Sequence, residues 1–360
     1  MLGLTSPLAL KLPPQLKKWL PWVYVPLGYL FCFCVFAYWA FPYERLEQRI
    51  VMGYNSSQKD SPAPKRMVIG DLSWSWRFPG VVLTDVELIG PKPVPPADGS
   101  KAPPREHVHI DQVYAGVSLL SLLVGTTAVD FDIEGFGGEL QGWFERSDAM
   151  TQLSVELSDV DPGQLPGVTE ALQMPISGSL SGTIDLKLPE GKYSAAEGEI
   201  DLEIADFRLA DGETKIRGLL ALPEIDAGTL SVEATASEGR IELTQFETKG
   251  PDLEAQVDGK IRLRDRLELS TTENLVLSFK FSDQYRDKDD NTRSLLGKPG
   301  DKIAGLIDMS PQSKRAKQED GSYRWRVSGS FNRLSFSPAV ATRPATRPRA
   351  TTRPPTPAAP

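Results

Sequence analysis

The sequence predicts a mainly β protein, a long curled antiparallel sheet (a meander) with few short helices, preceded by one N-terminal transmembrane helix. The first observation is the alternation from Ile176 to Leu188, where every second residue is apolar or Gly. That period of two is typical of a strand with one buried face. The second is the recurrence of this pattern along the chain. The third is an uncharged run from Trp19 to Phe41, long enough to cross a bilayer.

The apolar run has the flanks of a membrane anchor. Trp19 and Trp22 lie at one end and Trp39 at the other, where interfacial rings are expected. Basic residues precede the run, and the following flank is balanced in charge. The basic residues are Lys11, Lys17 and Lys18. The positive-inside rule therefore predicts a single-pass protein with its N-terminus in the cytoplasm and its body outside the cytoplasm.

A cleaved signal peptide is the rival interpretation of this run. A cut after Ala40 would place Tyr38 at the −3 position, where a small residue is needed. We therefore expect an uncleaved anchor. The predicted organisation is a cytoplasmic segment (1–18), a transmembrane helix (19–41), a β-domain outside the cytoplasm (42–337) and a tail (338–360).

Strands and turns alternate through the predicted β-domain. The strands are expected at 68–76, 81–89, 108–117, 129–133, 140–145, 176–188, 198–204, 230–234, 241–246, 253–263, 267–269, 275–281, 303–307 and 323–331. At Ala205-Asp206 the alternation slips by one residue, which predicts a β-bulge. Gly178, Gly182 and Gly259 lie within long strands and are expected to ease their bending.

Other segments lack strand periodicity. Loops are predicted at 61–66, at the proline-rich insert 91–105 and at the charged stretch 283–301. Short helices are expected at 42–53, at 118–124 and from Asp161 to Leu172. The tail repeats Thr-Arg-Pro and is predicted to be disordered, either as a spacer or as a basic arm for an acidic partner, phospholipid or cell-wall polymer.

Composition excludes several classes of protein. The chain has a net charge of −8, which argues against general nucleic-acid binding. Its two cysteines, Cys32 and Cys34, both lie in the apolar N-terminal run. The body therefore has neither a disulfide framework nor a thiolate metal site.

Catalytic signatures are weak throughout. His107 and His109 share one face of a predicted strand near Glu106 and Asp111, either as a metal pair or as exposed strand residues. Asp130 and Asp132 also share a face, as paired carboxylates or as a solvated surface. The segment Gly135 to Gly138 lacks the Lys of a phosphate loop and predicts a tight reversal instead. No catalytic, cofactor-binding or metal residues are assigned, and the chain is predicted not to be an enzyme.

A series of short motifs follows in order along residues 40 to 282. They are Phe41-Pro42-Tyr43, the run Ser118, Leu119, Leu120, Ser121, Leu122, Leu123, the turn Phe136-Gly137-Gly138-Glu139-Leu140, the strand Ile176 to Gly182, Gly198 to Leu202, and Leu222-Pro223. In this order and spacing the chain resembles the type II secretion system protein N (GspN) family. The insert 91–105, the stretch 283–301 and the basic tail depart from the family pattern.

This resemblance implies a non-catalytic accessory component of the cell inner membrane, part of the machinery that exports folded proteins across the outer membrane. It places the β-domain (42–337) in the periplasm. It implies other inner-membrane and periplasmic secretion components as partners, and no cofactor. A fainter similarity is to AsmA-like envelope proteins, which would make the apolar side of the sheet a lipid-shielding or lipid-transfer groove.

Overall fold

The computed structural model describes residues 24–57, 64–91, 107–299 and 305–339. Within these ranges, the residues not described are 30, 34, 37–38, 41, 76–79, 119–120, 122–124, 167, 169–173, 213–214, 217–219 and 332. The chain divides into two compact units, Met1–Asp60 and Ser61–Pro360.

The first unit is helical where it is described. Helix α1 spans Tyr43–Ser57 and confirms the helix expected after the anchor, with Glu44 in its first turn. The described residues between 24 and 39 are also helical, apart from those in the gaps. In the described part of the chain, no helix has both the length and the apolar composition of a membrane span. The predicted span at 19–41 falls partly outside the described residues.

The second unit is built on one fourteen-stranded antiparallel sheet, which confirms the predicted meander. Its strands are β1 (Arg66–Trp74), β2 (Gly80–Ile89), β3 (His107–Val117), β4 (Thr127–Gly135), β5 (Gly138–Arg146), β6 (Met150–Val160), β7 (Ile176–Pro189), β8 (Glu197–Leu209), β11 (Ile225–Ser237), β12 (Arg240–Lys249), β13 (Leu253–Arg262), β14 (Thr271–Phe281), β15 (Tyr323–Ser330) and β16 (Arg333–Pro338). They pair in chain order, and β9 (Lys215–Ile216) with β10 (Leu220–Ala221) forms a separate hairpin between β8 and β11.

Two strands of the sheet were not predicted. Strand β6 has only Leu153, Val155 and Leu157 as a clear alternating set, and the polar residues Thr151, Gln152, Ser158 and Asp159 flank that set. Strand β16 is short and ends at Pro338, where the tail was expected to begin. Both strands form because a neighbour supplies a hydrogen-bonding edge, which local sequence does not reveal.

The bulge predicted in β8 is confirmed. Ser177 of β7 lies opposite Arg208, but Ser179 lies opposite Ala205, so β8 carries one extra residue. Asp206 takes that place with a φ of 49°, in the left-handed region that Asp tolerates better than most residues. The extra residue keeps both Ile204 and Phe207 available to the apolar side and bends the strand.

The stretch 283–301, predicted as a loop, instead contains two short helices. Helix α2 spans Asp283–Arg286, and helix α3 spans Asp290–Leu296. Ser282 caps α2, and Asp289 forms a capping box with Thr292 at the start of α3. These caps satisfy backbone N–H groups, which stabilises helices too short to show a clear period.

The prediction of a strand at 303–307 is wrong for the part of this segment that the structure describes. Leu306–Met309 forms helix α4, and Pro311–Ala316 forms helix α5 with Pro at its first position and Ser310 as its cap. The strand predicted at 267–269 is likewise a 3₁₀ turn.

Several expectations lie largely outside the described residues. They concern the helix at 118–124, the second half of the helix at 161–172, most of the insert 91–105 and the tail beyond Ala339.

Glycine is required where β7 and β8 approach each other. Gly198 has a φ of 150°, and a Cβ added there would lie 1.9 Å from the carbonyl oxygen of Asp185. We expect Gly198→Ala to lower the free energy of unfolding by about 2 kcal/mol, through backbone strain and displacement of the strand pair. Denaturant unfolding of the full chain checks this. Gly53→Ala, where an added Cβ meets nothing within 4 Å, is the control. Equal stability of both variants would contradict the requirement for glycine at position 198.

Candidate functional site

An apolar surface extends across the sheet from strand to strand. In one row, Val155 of β6 lies opposite Ile184 of β7, which lies opposite Ile200 of β8. The row continues through Ala234 of β11 to Leu243 of β12. Such directly opposed pairs are the unit of packing on one side of a sheet. We call this side of the sheet the apolar face.

Helices α2 to α4 pack on the apolar face at one end of the strands. Tyr285 of α2 and Leu296 of α3 are buried in one cluster with Ile176, Phe207 and Leu253. The cluster is completed by Ile225, Ala227 and Leu230, and its partly buried neighbours include Leu295 and Ile307. We call residues 283–299 and 305–316 the helical cap. It removes this end of the apolar face from water.

Tyr285 anchors the helical cap to the sheet. Its side chain is completely buried, and its ring stacks on Phe281 of β14 at 5.5 Å between centroids. Its hydroxyl donates a hydrogen bond of 2.9 Å to the Pro223 carbonyl. Burial, helped by the charges of Asp252 and Asp289, raises the pKa of Tyr285 far above its usual value. The hydroxyl therefore stays protonated and keeps donating.

A second anchor joins the helical cap to strand β15. Asp308 of α4 is buried and accepts hydrogen bonds from the Tyr323 hydroxyl at 2.7 Å and from Lys317 Nζ at 2.5 Å. Burial opposes the ionisation of Asp308, but the bonds from Lys317 and Tyr323 and the charge of Lys317 outweigh it and lower its pKa. Asp308 is therefore a buried, ionised carboxylate, and each of its two oxygens accepts a hydrogen bond.

A smaller cluster covers the opposite end of the strands. Leu188, Ala196 and Leu263 are buried together, with Ile241 and Ile261 packed against them. Ser194 tethers this end by donating from its hydroxyl and its backbone N–H to Asp265, at 2.7 and 3.2 Å.

Between these two ends, the apolar face is only half-buried by the described residues. The half-buried side chains are Leu153, Ile184, Leu186, Ile200, Leu202, Leu243, Val257 and Leu277. Most belong to central strands, whose apolar side chains normally lie in a core. The central part of the apolar face therefore presents a broad, partly exposed apolar surface. Of the features of this fold, it is the one most suited to binding an apolar ligand or partner.

The other side of the sheet is acidic over most of its width. Its carboxylates on β4 to β11 are Asp130, Asp132, Glu134, Glu139, Glu145, Glu156, Asp185, Glu197, Glu199, Asp201, Glu203 and Glu233. Some face each other directly, as Asp201 and Glu233 do, which is unfavourable in isolation. We call this side the polar face. Near β16 its charge changes sign, because Arg324, Arg326 and Arg333 lie there.

The two histidines singled out in the sequence lie on β3 at the polar face. His107 contacts Glu87 at 3.3 Å, and His109 contacts Asp111 at 3.3 Å and Asp85 at 3.9 Å. All of these side chains are well exposed. Among the described residues, no group of three or more His, Cys, Asp or Glu side chains is arranged to hold a metal ion. Glu106 lies outside the described residues.

The other sequence candidates lie on the neighbouring hairpin. Asp130 and Asp132 of β4 lie opposite Gly116 and Tyr114 of β3. The turn after β4 is the predicted tight reversal, with Phe136 at φ 56° and Gly137 at φ 79°. Two consecutive positive φ values are typical of a type I′ hairpin turn.

Sequence reasoning missed the helical cap and both of its anchors. Tyr285 lies in a charged stretch without clear periodicity. Asp308 directly follows the segment 303–307, which was predicted as a strand, so neither residue suggested a buried position in a helical cap. The available signals were local: Ser282 and Asp289 each precede a short helix as its cap, and the pair Ser310-Pro311 starts another.

Comparison with known proteins identifies no relative of this chain. No family model matches the chain, and the search of curated proteins and the search of solved structures found no match either.

Proposed function

We propose that this protein is a non-catalytic accessory component of the type II protein secretion machinery. In this proposal the sheet is a rigid periplasmic scaffold that holds other secretion components in place and so supports export of folded proteins across the outer membrane. The observation that carries it is the single meander of fourteen strands, a continuous surface with one apolar side and one side that is acidic over most of its width. The resemblance of its motif order to that of the type II secretion protein N family adds support.

The proposal includes a membrane anchor at residues 19–41, with the N-terminus in the cytoplasm and the body in the periplasm. The basic N-terminal flank and the tryptophans at both ends of the apolar run support this orientation. An anchor of this kind would keep the sheet close to the inner-membrane platform that is expected to be its partner.

Loss of the protein tests this proposal. Deleting the gene is expected to leave secreted proteins in the periplasm, and reintroducing the full chain is expected to restore their export. The matched variant replaces both His107 and His109 by Ala and should restore export as well, because a scaffold needs no catalytic histidine. Normal export without the chain, or failure of the histidine variant to restore it when present at wild-type level, would contradict the proposal.

A second candidate function is lipid shielding or transfer. The half-buried centre of the apolar face favours it, because a surface lined by Ile184, Ile200 and Leu202 is suited to acyl chains. The helical cap and the cluster at the other end would then bound the lipid along the strands.

Mass spectrometry of lipids that copurify with the full chain distinguishes the two functions. If the apolar face is a lipid groove, phospholipid should copurify with the full chain at near-stoichiometric amounts, above the level in the detergent control. Ile200→Glu should remove this phospholipid. Asp201→Asn, next in the same strand but on the polar face, should retain it. Equal lipid in both variants, or none in the wild type, would contradict the groove and leave the scaffold as the single proposal.

A further inference from the structure

The two edges of the sheet differ in a way that suits them to each other. Within the described structure, β1 pairs only with β2 and β16 pairs only with β15, so each leaves one side of its backbone ladder open. A row of open N–H and C=O groups is a template for another strand. Edges of this kind are usually protected by inward-pointing charges or bulges.

Helix α5 packs against β16, but the strand itself carries no inward-pointing charge and no bulge. Leu334 and Phe336 are 42% and 53% exposed, and both lie on the apolar face, opposite Gly329 and Val327 of β15. The one charged residue of the strand is Arg333, at its start. An added strand with apolar residues at every second position would cover Leu334 and Phe336 and continue the apolar face.

The two edges carry opposite charge on the polar face. Around β1 this face carries four carboxylates and one guanidinium group, that of Arg66 at the start of the strand. On β15 and β16 it carries only guanidinium groups, and Lys280 of the neighbouring β14 adds an ammonium group. The acidic set is Asp71, Asp85, Glu87 and Asp111, and the basic set is Lys280, Arg324, Arg326 and Arg333. Arg324, Arg326 and Arg333 form no ion pair with any residue that the structure describes. Glu273, the carboxylate nearest them on β14, is already paired with Arg240 and Arg262.

Strand direction also permits the two edges to pair. The sheet has an even number of antiparallel strands, so β1 and β16 run in opposite directions. A second copy placed beside the first, with its apolar face on the same side, sets its β1 antiparallel to β16. The meander then continues across the junction without a break in direction or in face.

We propose that the β16 edge of one copy binds the β1 edge of a second copy, so that the chains associate head to tail. Charge selects this arrangement over pairing of like edges, because two β16 edges would bring their arginines together and two β1 edges would bring their carboxylates together. The contact is heterologous, so each added copy leaves a new free edge and assembly proceeds stepwise.

Crosslinking of single-cysteine variants tests the proposal on the full chain in detergent. Cys32 and Cys34 are first replaced by Ser. Val68→Cys labels β1 and Ser337→Cys labels β16, on the same face and near the same end of the strands. A bismaleimide of about 8 Å tolerates a register shift of two residues, which moves a side chain by about 7 Å.

The proposal predicts that a mixture of the two single variants forms a crosslinked dimer and that each variant alone does not. A chain carrying both cysteines should form a ladder of dimers, trimers and larger species. Dimers from Ser337→Cys alone would show pairing of like edges and overturn the proposal. It is also overturned if the mixture stays monomeric while both cysteines are fully modified.

A charge swap gives a second, independent readout. Arg326→Glu with Arg333→Glu should reduce the crosslinked dimer at least tenfold, because the basic edge then repels the carboxylates around β1. Pairing these chains with partners that carry Asp71→Lys and Glu87→Lys should restore it. Restoration distinguishes complementary edges from a loss of folding, and its failure while the variants keep wild-type circular dichroism would contradict the electrostatic basis.

Discussion

Replacing Tyr285 by Ala is expected to lower the free energy of unfolding by about 4 kcal/mol. The side chain is completely buried in the cluster that joins the helical cap to the sheet. Removing its ring takes away the stack on Phe281 and leaves a cavity beneath α2. The Pro223 carbonyl also loses the hydrogen bond that it accepts from the hydroxyl.

The matched control is Tyr285→Phe, which keeps the ring and removes only the hydroxyl. We expect a loss of about 1 kcal/mol for this variant, the usual value of one hydrogen bond. Denaturant unfolding of the full chain in detergent, followed by tryptophan fluorescence, measures both. An equal loss of unfolding free energy in the two variants would contradict the claim that burial of the Tyr285 ring stabilises the helical cap.

Replacing Asp308 by Ala is expected to lower the free energy of unfolding by about 3 kcal/mol, because it breaks a buried pair and removes the acceptor of two hydrogen bonds. Lys317 would keep a charge without its partner, and the Tyr323 hydroxyl would lose its acceptor. The control is Tyr323→Phe, which removes one bond and leaves the ion pair between Lys317 and Asp308 intact. This control should lose about 1 kcal/mol.

The same anchor predicts a dependence of stability on pH. The pKa of Asp308 is lower in the folded chain than in the unfolded one, so its stabilising contribution is fully present above the unfolded value of about 4. The contribution is lost as the pH falls through the folded pKa. The stability difference between wild type and Asp308→Asn should therefore stay constant from pH 7 to pH 5 and shrink below pH 4. A difference that stayed the same down to pH 2 would contradict an ionised Asp308.

The alternation of apolar and polar residues was sufficient to predict most of the long strands and their antiparallel order, with β6 as the long strand that it missed. Strand β7 begins at Ile176 as expected, and the slip in parity at Ala205-Asp206 correctly located a bulge. These features are local, because a strand with one buried face needs a fixed period of two and a bulge shows as a break in it.

Features that depend on tertiary contact were not predictable in the same way. The helices of the cap are four to seven residues long, too short for a helical period, and they are stabilised by packing and capping. Tyr285 is buried because Phe281 and Pro223 meet it from other parts of the chain. The contrast in charge between the edges at β1 and β16 also becomes visible only once the order of strands is known.

Affinity capture of the full chain from native membranes, with quantitative mass spectrometry, tests the proposed scaffold most directly. The capture should enrich inner-membrane and periplasmic secretion components over a control in which an unrelated single-pass protein carries the same tag. Tyr285→Ala, which loosens the helical cap, should reduce that enrichment more than Tyr285→Phe. Absence of any secretion component from a capture that recovers the intact chain would contradict the proposal that this sheet supports the secretion machinery.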